Sequence, residues 1–271
     1  MTEKIYYNEK ADFDLSFLKD DEFTFSVLIR ILQGECRLTI TDGGKFVICH
    51  SSEPYPVWVW TAADATEEEL EYVYRLVSEH FGLGGEYRFN LKYEFADFLL
   101  KRADEDGFSL QISTNMLTYS CENPIPPRRA SGGCRIANAH DLDEAVALME
   151  GFHNDTGVDK TDIEEYRKKA ESLIEAHRLF FWEDEQGECS AMASYSISED
   201  KGTVGNVYTL PNKRRCGYAA NLVHAVTLII KQQKKLPTLY TDADYAASNR
   251  CYEGIGYEKR GSLCTVARKK T

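Results

Sequence analysis

Residues 207–222 have the sequence VYTLPNKRRCGYAANL and give the strongest local signal in the chain. The apolar start predicts a strand, Pro211 ends it, and small residues begin a helix after a basic loop. Backbone N–H groups in the first turn of a helix lack intrahelical partners and lie at its positive end. A loop without bulky side chains lets a phosphate reach them. We therefore expect an anion site, best suited to a pyrophosphate, to which Lys213, Arg214 and Arg215 add charge.

Three phosphate-binding patterns compete for this loop. A Walker loop needs Gly-Lys-Ser/Thr, which the chain lacks, and a dinucleotide fingerprint needs glycines that are not present. The spacing Arg214-x-x-Gly217-x-Ala219 resembles the acetyl-CoA signature Q/R-x-x-G-x-G/A of the GNAT superfamily of N-acetyltransferases. A second stretch, SNRCYEGIGY at 248–257, resembles the later helix of that family. Together they are similar to a bacterial subgroup with V-Y-T-x-P before the loop, over about 134–266.

The resemblance implies an α/β (α+β) fold for 134–271, with a mixed, mostly antiparallel sheet flanked by helices. It implies acetyl-CoA as the acetyl donor and no metal. The main chain of the first strand would meet the pantetheine arm and the acetyl carbonyl, where that strand and a neighbouring strand at 239–242 splay apart. The loop amides would bind the pyrophosphate. The cofactor-binding residues implied in this way are Val207, Tyr208, Thr209, Arg214, Arg215, Cys216, Gly217, Tyr218, Ala219, Ala220, Ser248, Asn249 and Tyr252.

Tyr252 is the candidate general acid, because a positioned phenol can protonate the thiolate that leaves when an amine attacks the thioester. The alternative is an aromatic residue of a helix core. The amine also needs a base, and the central strand carries no carboxylate at 206–209. Asp242 is the first candidate base; His153 and Glu183 are weaker ones. We interpret Cys216 as a variable loop residue and Cys251 as a core residue.

The stretch CENPIPPRRASGG at 121–133 predicts a break in the chain. Its three prolines cannot enter a helix interior or a central strand, and its glycines add flexibility. We predict a linker at 122–133 between an N-terminal α/β domain, 1–121, and a GNAT domain, 134–271. In the second half we expect strands at 134–139, 179–182, 188–196, 203–210 and 239–242, a closing hairpin at 258–267, and helices from 141 or 143, at 161–177, 218–234 and 246–255.

The N-terminal half has a related order of predicted elements. Strands are expected at 37–41, 45–50, 57–61, 87–91 and 109–119, and helices at 66–81 and 93–102. This order is consistent with a degenerate GNAT-like repeat. The segment after its third strand, AADATEEE at 62–69, is acidic and lacks Gly, so it would repel a pyrophosphate. We expect this half to have no cofactor site, and to cover the active site or form an oligomer interface.

Composition limits the classes of function. The formal net charge of −12 argues against a nucleic-acid partner, and 43% hydrophobic residues predict a globular chain. The eight cysteines form no C-x-x-C pair or zinc-ligand spacing, and no stretch approaches a membrane span. The polar first residues do not resemble a secretory signal. We expect a cytoplasmic monomer or homodimer with free thiols and no membrane partner.

The predicted function is acetyl transfer from acetyl-CoA to a primary amine of a small molecule or peptide by direct attack. Two alternatives remain open. The chain could be a non-catalytic acyl-CoA-binding or assembly protein that keeps the fold, or its loop could serve another phosphorylated ligand.

Overall fold

The computed structural model describes residues 6–7, 14–34, 36–157 and 160–269. The chain divides into two compact units. The first contains the residues up to Leu117, together with Asp242–Asp244 and the residues from Gly261 onward. The second contains Thr118–Thr241 and Tyr245–Arg260. Both units combine a mixed sheet with helices, so the α/β class is confirmed.

The first unit begins with strand β1, a 3-10 helix at Leu15–Asp21 and helix α1. Its strands follow the spatial order β1-β2-β3-β4-β5-β12-β6. The strands β2, β3 and β4 are antiparallel, whereas β4 and β5 are parallel and are connected through helix α2. Its elements are β1 Tyr6–Tyr7, α1 Ser26–Leu32, β2 Leu38–Thr41, β3 Phe46–His50, β4 Val57–Thr61, α2 Glu67–Phe81, β5 Phe89–Leu91, α3 Tyr93–Glu105 and most of β6 Leu110–Ser120.

A strand from the far end of the sequence completes the first unit. Strand β12, Glu258–Arg268, pairs antiparallel with β5 from Cys264 to Val266. The side chains of Cys264 and Val266 are fully buried in one core with Val77, Phe89 and residues of α3. The alternation of buried apolar side chains along strands explains this packing.

The second unit has the strand order β6-β11-β10-β9-β8-β7. Helices α4 and α5 cover one face of this sheet, where their apolar side chains pack with Phe181, Met192 and Tyr208. Helix α6 packs against the strands with its buried stripe of Leu222 and Val226. Its elements are β7 Gly133–Ile136, α4 Leu142–Thr156, α5 Ile163–Glu175, β8 Leu179–Glu183, β9 Cys189–Ile197, β10 Lys201–Thr209, α6 Tyr218–Gln232, β11 Leu236–Asp242 and α7 Ala246–Gly254, with 3-10 helices at Ala139–Asp141 and Pro211–Lys213.

Three local predictions were wrong. The segment 258–267 is one continuous strand instead of a hairpin, because its residues pair along their length with neighbouring strands. Helix α5 begins at Ile163 instead of 161, because Asp162 caps it with a carboxylate that accepts from Glu165 N. The 3-10 helix at Leu15–Asp21 and helix α1 were not predicted at all; their buried Leu18 and Leu28 lie in short apolar runs without helical periodicity.

The proline-rich segment is fixed against the second unit, which differs from the predicted flexible linker. Ile125 N donates to Ile255 O at 3.0 Å, and Trp182 Nε1 donates to Ser131 O at 2.9 Å. Gly132 has φ +88°, and a Cβ there would lie 1.9 Å from Glu183 O. The units also depart from the predicted bounds of 1–121 and 134–271, since 242–244 and 261 onward join the first unit.

All eight cysteines lie in the described part of the chain and are free thiols. None of the helices that the structure describes is long and apolar enough to cross a bilayer. Among the same residues, no three His, Cys, Asp or Glu side chains are grouped as metal ligands.

We predict that Val266→Ala lowers the free energy of unfolding of the first unit by about 2 kcal/mol, since it removes two buried methyl groups from the core. Urea unfolding followed by the fluorescence of Trp58 and Trp60 measures this change. Lys269→Ala, an exposed change nearby, is the control and should alter stability by less than about 0.5 kcal/mol. An unchanged midpoint for Val266→Ala would contradict the role given to β12.

Candidate functional site

The parallel pairing of β10 with β11 ends partway along both strands. The ladder joins Lys201–Val204 to Leu236–Leu239, yet β10 continues to Thr209 and β11 to Asp242. On its other side, β10 pairs with β9 but the register shifts between Gly205 and Tyr208. Neither ladder includes Asn206 or Val207. Backbone groups of this stretch are therefore not committed to sheet pairing.

Asn206 forms the bulge that causes this break in register. Its φ is +49°, a left-handed conformation that asparagine tolerates better than most residues. Its amide donates to Ser194 Oγ at 2.7 Å, and its Oδ1 accepts from Lys169 Nζ at 3.3 Å. Ser194 Oγ in turn donates to Gly205 O at 3.2 Å. These contacts hold the bulge in one conformation, so this part of the strand is preorganised.

Helix α6 starts without a side-chain cap. Its N-cap is Gly217, with φ +83°, and its first turn has no acidic residue. Arg215 also has a positive φ, +65°, so the loop turns twice before the helix begins. The N–H groups of the first turn therefore lack protein partners of the usual capping kind and lie at the positive end of a 15-residue helix. This arrangement fits a phosphate group.

Two of the three basic side chains of the loop form ion pairs with carboxylates. This differs from the expectation that all three add positive charge to the anion site. Lys213 Nζ contacts Asp184 Oδ2 at 2.6 Å and Glu188 Oε2 at 2.9 Å. Arg214 Nη2 contacts Asp155 Oδ2 at 2.5 Å, and its Nε donates to Thr209 O at 3.1 Å. Both side chains therefore fix the loop to its surroundings.

The carboxylate of Asp184 is the anchor for Lys213. It also accepts from Ser190 Oγ and from the backbone N–H groups of Gln186 and Glu188. The hydrogen bond from Lys213 is the main cause that lowers the pKa of Asp184 from 3.8 to about 2, against the opposing effect of burial.

Tyr208 and Asp155 join β10, helix α4 and the loop. The Tyr208 hydroxyl donates to Asp155 Oδ2 at 3.3 Å, and the guanidinium of Arg214 lies 5.7 Å from the Tyr208 ring centroid. Burial is the main cause that raises the pKa of Tyr208. On α4, Gly151 makes room for this ring, because a Cβ there would lie 2.9 Å from the tyrosine. Sequence reasoning missed Asp155, since 59 residues separate it from Arg214.

Helix α7 presents Tyr252 to the interior. Its side chain is 7% exposed, and its ring contacts Tyr257 edge-on at 6.2 Å between centroids. Tyr257 is fixed by a 2.8 Å hydrogen bond with Thr227 of α6. The Tyr252 hydroxyl has no hydrogen-bond partner among the described residues. Burial raises the pKa of Tyr252 above 10.0, so the phenol keeps its proton at neutral pH.

The remaining cofactor candidates also belong to the second unit. Ser248 is half-buried and shares a 2.9 Å hydrogen bond with Thr241 at the end of β11, whereas Asn249 follows it on α7. Thr209 Oγ1 is buried and has no hydrogen-bond partner in the described residues. Tyr218 stacks on Trp182, Ala219 and Ala220 are half-buried, and Cys216 is exposed.

The candidate bases lie in different surroundings. Asp242 is exposed at the end of β11 and belongs to the first unit, where its Oδ1 accepts from Asp244 N at 2.8 Å. Glu183 is held by Arg135 Nε at 2.5 Å, and His153 is buried in a stack on Tyr166. Both therefore have structural contacts. Cys251 is half-buried, and burial raises the pKa of its thiol to about 11.

Comparison with known proteins adds evidence on the fold. Residues 185–266, which contain β10, the loop, α6 and α7, match the family model of FR47-like protein. Among curated proteins, none is significantly similar to this chain. A GCN5-related N-acetyltransferase from Sphaerobacter thermophilus superposes with a TM-score of 0.71 at 12% identity, covering 98% of this chain and 97% of that one.

Two further solved structures agree. A GCN5-related N-acetyltransferase from Kribbella flavida has a TM-score of 0.63 at 15% identity, over 95% of this chain and 96% of its own. An acetyltransferase of the GNAT family from Colwellia psychrerythraea has a TM-score of 0.61 at 15% identity, over 98% and 100%. The chain has the GNAT fold. At these identities the likeness is one of fold, and it extends over nearly the whole chain.

We predict that the ion pair of Asp184 stabilises the folded state at neutral pH and loses this effect in acid. Its folded pKa is below its unfolded one, so the contribution is complete above about pH 4 and disappears as pH falls toward 2. Urea midpoints of the wild type and Asp184→Asn should differ at pH 6 and converge between pH 4 and 2. Glu199→Gln, an exposed carboxylate change, is the control. A difference that stays constant with pH would contradict this assignment.

Proposed function

We propose that this protein is an acetyl-CoA-dependent N-acetyltransferase that acts on a primary amine of a small molecule or peptide. The observation that carries the proposal is the combination of an uncapped α6 N-terminus with a β10 edge that is unpaired on its β11 side after Val204. A phosphate-bearing thioester needs both features, because its anionic end requires N–H donors and its extended arm requires a free strand edge. Acetyl-CoA supplies an activated acetyl group on a thiol leaving group.

The cofactor arm would lie along Val207 to Thr209. The backbone N–H groups of this bulged stretch are suited to stabilise negative charge that develops on the acetyl oxygen. Thr209 Oγ1, which is buried without a partner among the described residues, is one polar atom that a ligand would satisfy. The loop from Arg215 to Ala220 would hold the pyrophosphate through its amides.

Tyr252 is proposed as the general acid. Its raised pKa keeps it in the donor form, and its hydroxyl has no competing partner in the described residues. The proton passes from the phenol to the departing thiolate sulfur, and the attacking nitrogen loses a proton to a base. Asp242 is the proposed base, acting directly or through water, since its exposed carboxylate lies at the end of β11.

We expect Tyr252→Phe to lower kcat of acetyl transfer by about 100-fold or more, with CoA affinity changed by less than about threefold, because only proton donation is lost. Thiol release from acetyl-CoA with a panel of amines measures the rate. Tyr245→Phe, an exposed position at the start of the same helix, is the matched control. Equal rates for Tyr252→Phe and wild type would remove Tyr252 from the mechanism.

Binding is tested separately from turnover. CoA at about 100 times its Kd should stabilise the wild type by about 2.7 kcal/mol in thermal unfolding. Stabilisation without thiol release for any amine would favour a non-catalytic acyl-CoA-binding protein. Absence of stabilisation would point to a different phosphorylated ligand. Asp242→Asn should lower kcat and leave this stabilisation intact.

A further inference from the structure

Four arginine side chains have no hydrogen bond, ion pair or ring contact within the described residues: Arg128, Arg129, Arg215 and Arg250. All four belong to the second unit. Arg215 is in the phosphate loop and Arg250 follows Asn249 on α7, whereas Arg128 and Arg129 come from the proline-rich segment.

The backbone of Arg128 is attached to the first turn of α6. Asn221 Nδ2 donates to Arg128 O at 2.9 Å and also to Gly217 O at 2.9 Å. Ala130 is buried, and its Cβ lies 3.7 Å from the position of a Cβ on Gly217. The bond from Trp182 Nε1 to Ser131 O fixes the next residue. These contacts use main-chain groups and leave both arginine side chains exposed beside the loop.

Two of the three cations of the loop are already neutralised. Lys213 lies between Asp184 and Glu188, and Arg214 is paired with Asp155. Releasing either cation to a phosphate would leave a carboxylate without its partner, and Asp184 is almost fully buried. CoA carries roughly four negative charges at neutral pH on its pyrophosphate and 3′-phosphate. Loop amides can accommodate part of this charge, but not an additional dianion.

We propose that Arg128 and Arg129 bind the 3′-phosphate of CoA, so that the proline-rich segment is part of the cofactor site. This inference rests on the proposed function, since it assumes CoA as the ligand. Guanidinium groups match phosphate geometry and form charge-assisted hydrogen bonds. Arg214 is then a positioning residue that fixes the loop through Asp155 and Thr209 O.

The test compares three ligands: CoA, dephospho-CoA, which lacks the 3′-phosphate, and pantetheine, which lacks all phosphates. Isothermal titration with the full chain should give about 100-fold weaker CoA binding for Arg128→Ala/Arg129→Ala. Binding of dephospho-CoA and pantetheine should change by less than about threefold. The log–log salt slope of CoA binding should also decrease in magnitude.

The matched control is Arg167→Ala/Lys168→Ala, which removes the same charge from two adjacent positions of α5, the first half-buried and the second exposed. It should leave the affinity for all three ligands unchanged. Arg128→Lys/Arg129→Lys keeps the charge and should recover part of the affinity for CoA alone. This pattern cannot arise from a misplaced segment, which would weaken all three ligands together.

The outcomes separate this inference from the proposed function. If the wild type binds CoA but the double alanine variant binds it equally well, the inference is wrong and the proposed function stands. An equal loss for CoA and dephospho-CoA would also overturn it, because the 3′-phosphate would then not be the recognised group. If the wild type binds no CoA, the proposed function itself fails.

Discussion

The break in pairing between β10 and β11 is the constraint on which the site depends. Two parallel strands that stayed paired to their ends would satisfy every backbone group between them and leave nothing for a ligand. Here the ladder stops after Val204 and Leu239, and the bulge at Asn206 interrupts the pairing of β10 with β9 between Gly205 and Tyr208. The functions proposed for the loop, α6 and Tyr252 all depend on this opening.

Electrostatic contacts around the opening divide into two groups. Lys213 and Arg214 are held by carboxylates from other elements and give the loop its shape. The uncapped first turn of α6 and the unpaired arginines remain available to an anion. In the first unit, helix α2 has a complete capping box between Thr66 and Glu69. The side chains of these two residues therefore accept from the N–H groups of Thr66 and Glu69.

Much of the fold could be predicted from periodicity, and the reasons are local. The apolar stripe on α6 and the VWVWT strand both follow from the local sequence. The partner of β12 could not be predicted, because Cys264 meets Leu91 and the two are distant in sequence. The ion pair of Arg214 with Asp155 could not be predicted either, because these two residues are also distant in sequence. Basic residues in a motif predict a positive loop, but the sequence does not reveal which of them a distant carboxylate neutralises.

The pairing of β12 with β5 bears on how the protein is made. A ribosome synthesises the residues of β2 to β6 long before it reaches 261–268, yet the core of that unit includes Cys264 and Val266. Until those residues emerge, β5 presents an unpaired edge and a gap in its apolar layer. The nascent first unit thus waits for the second to be translated, and chaperones that shield strand edges would have the longest access to β5.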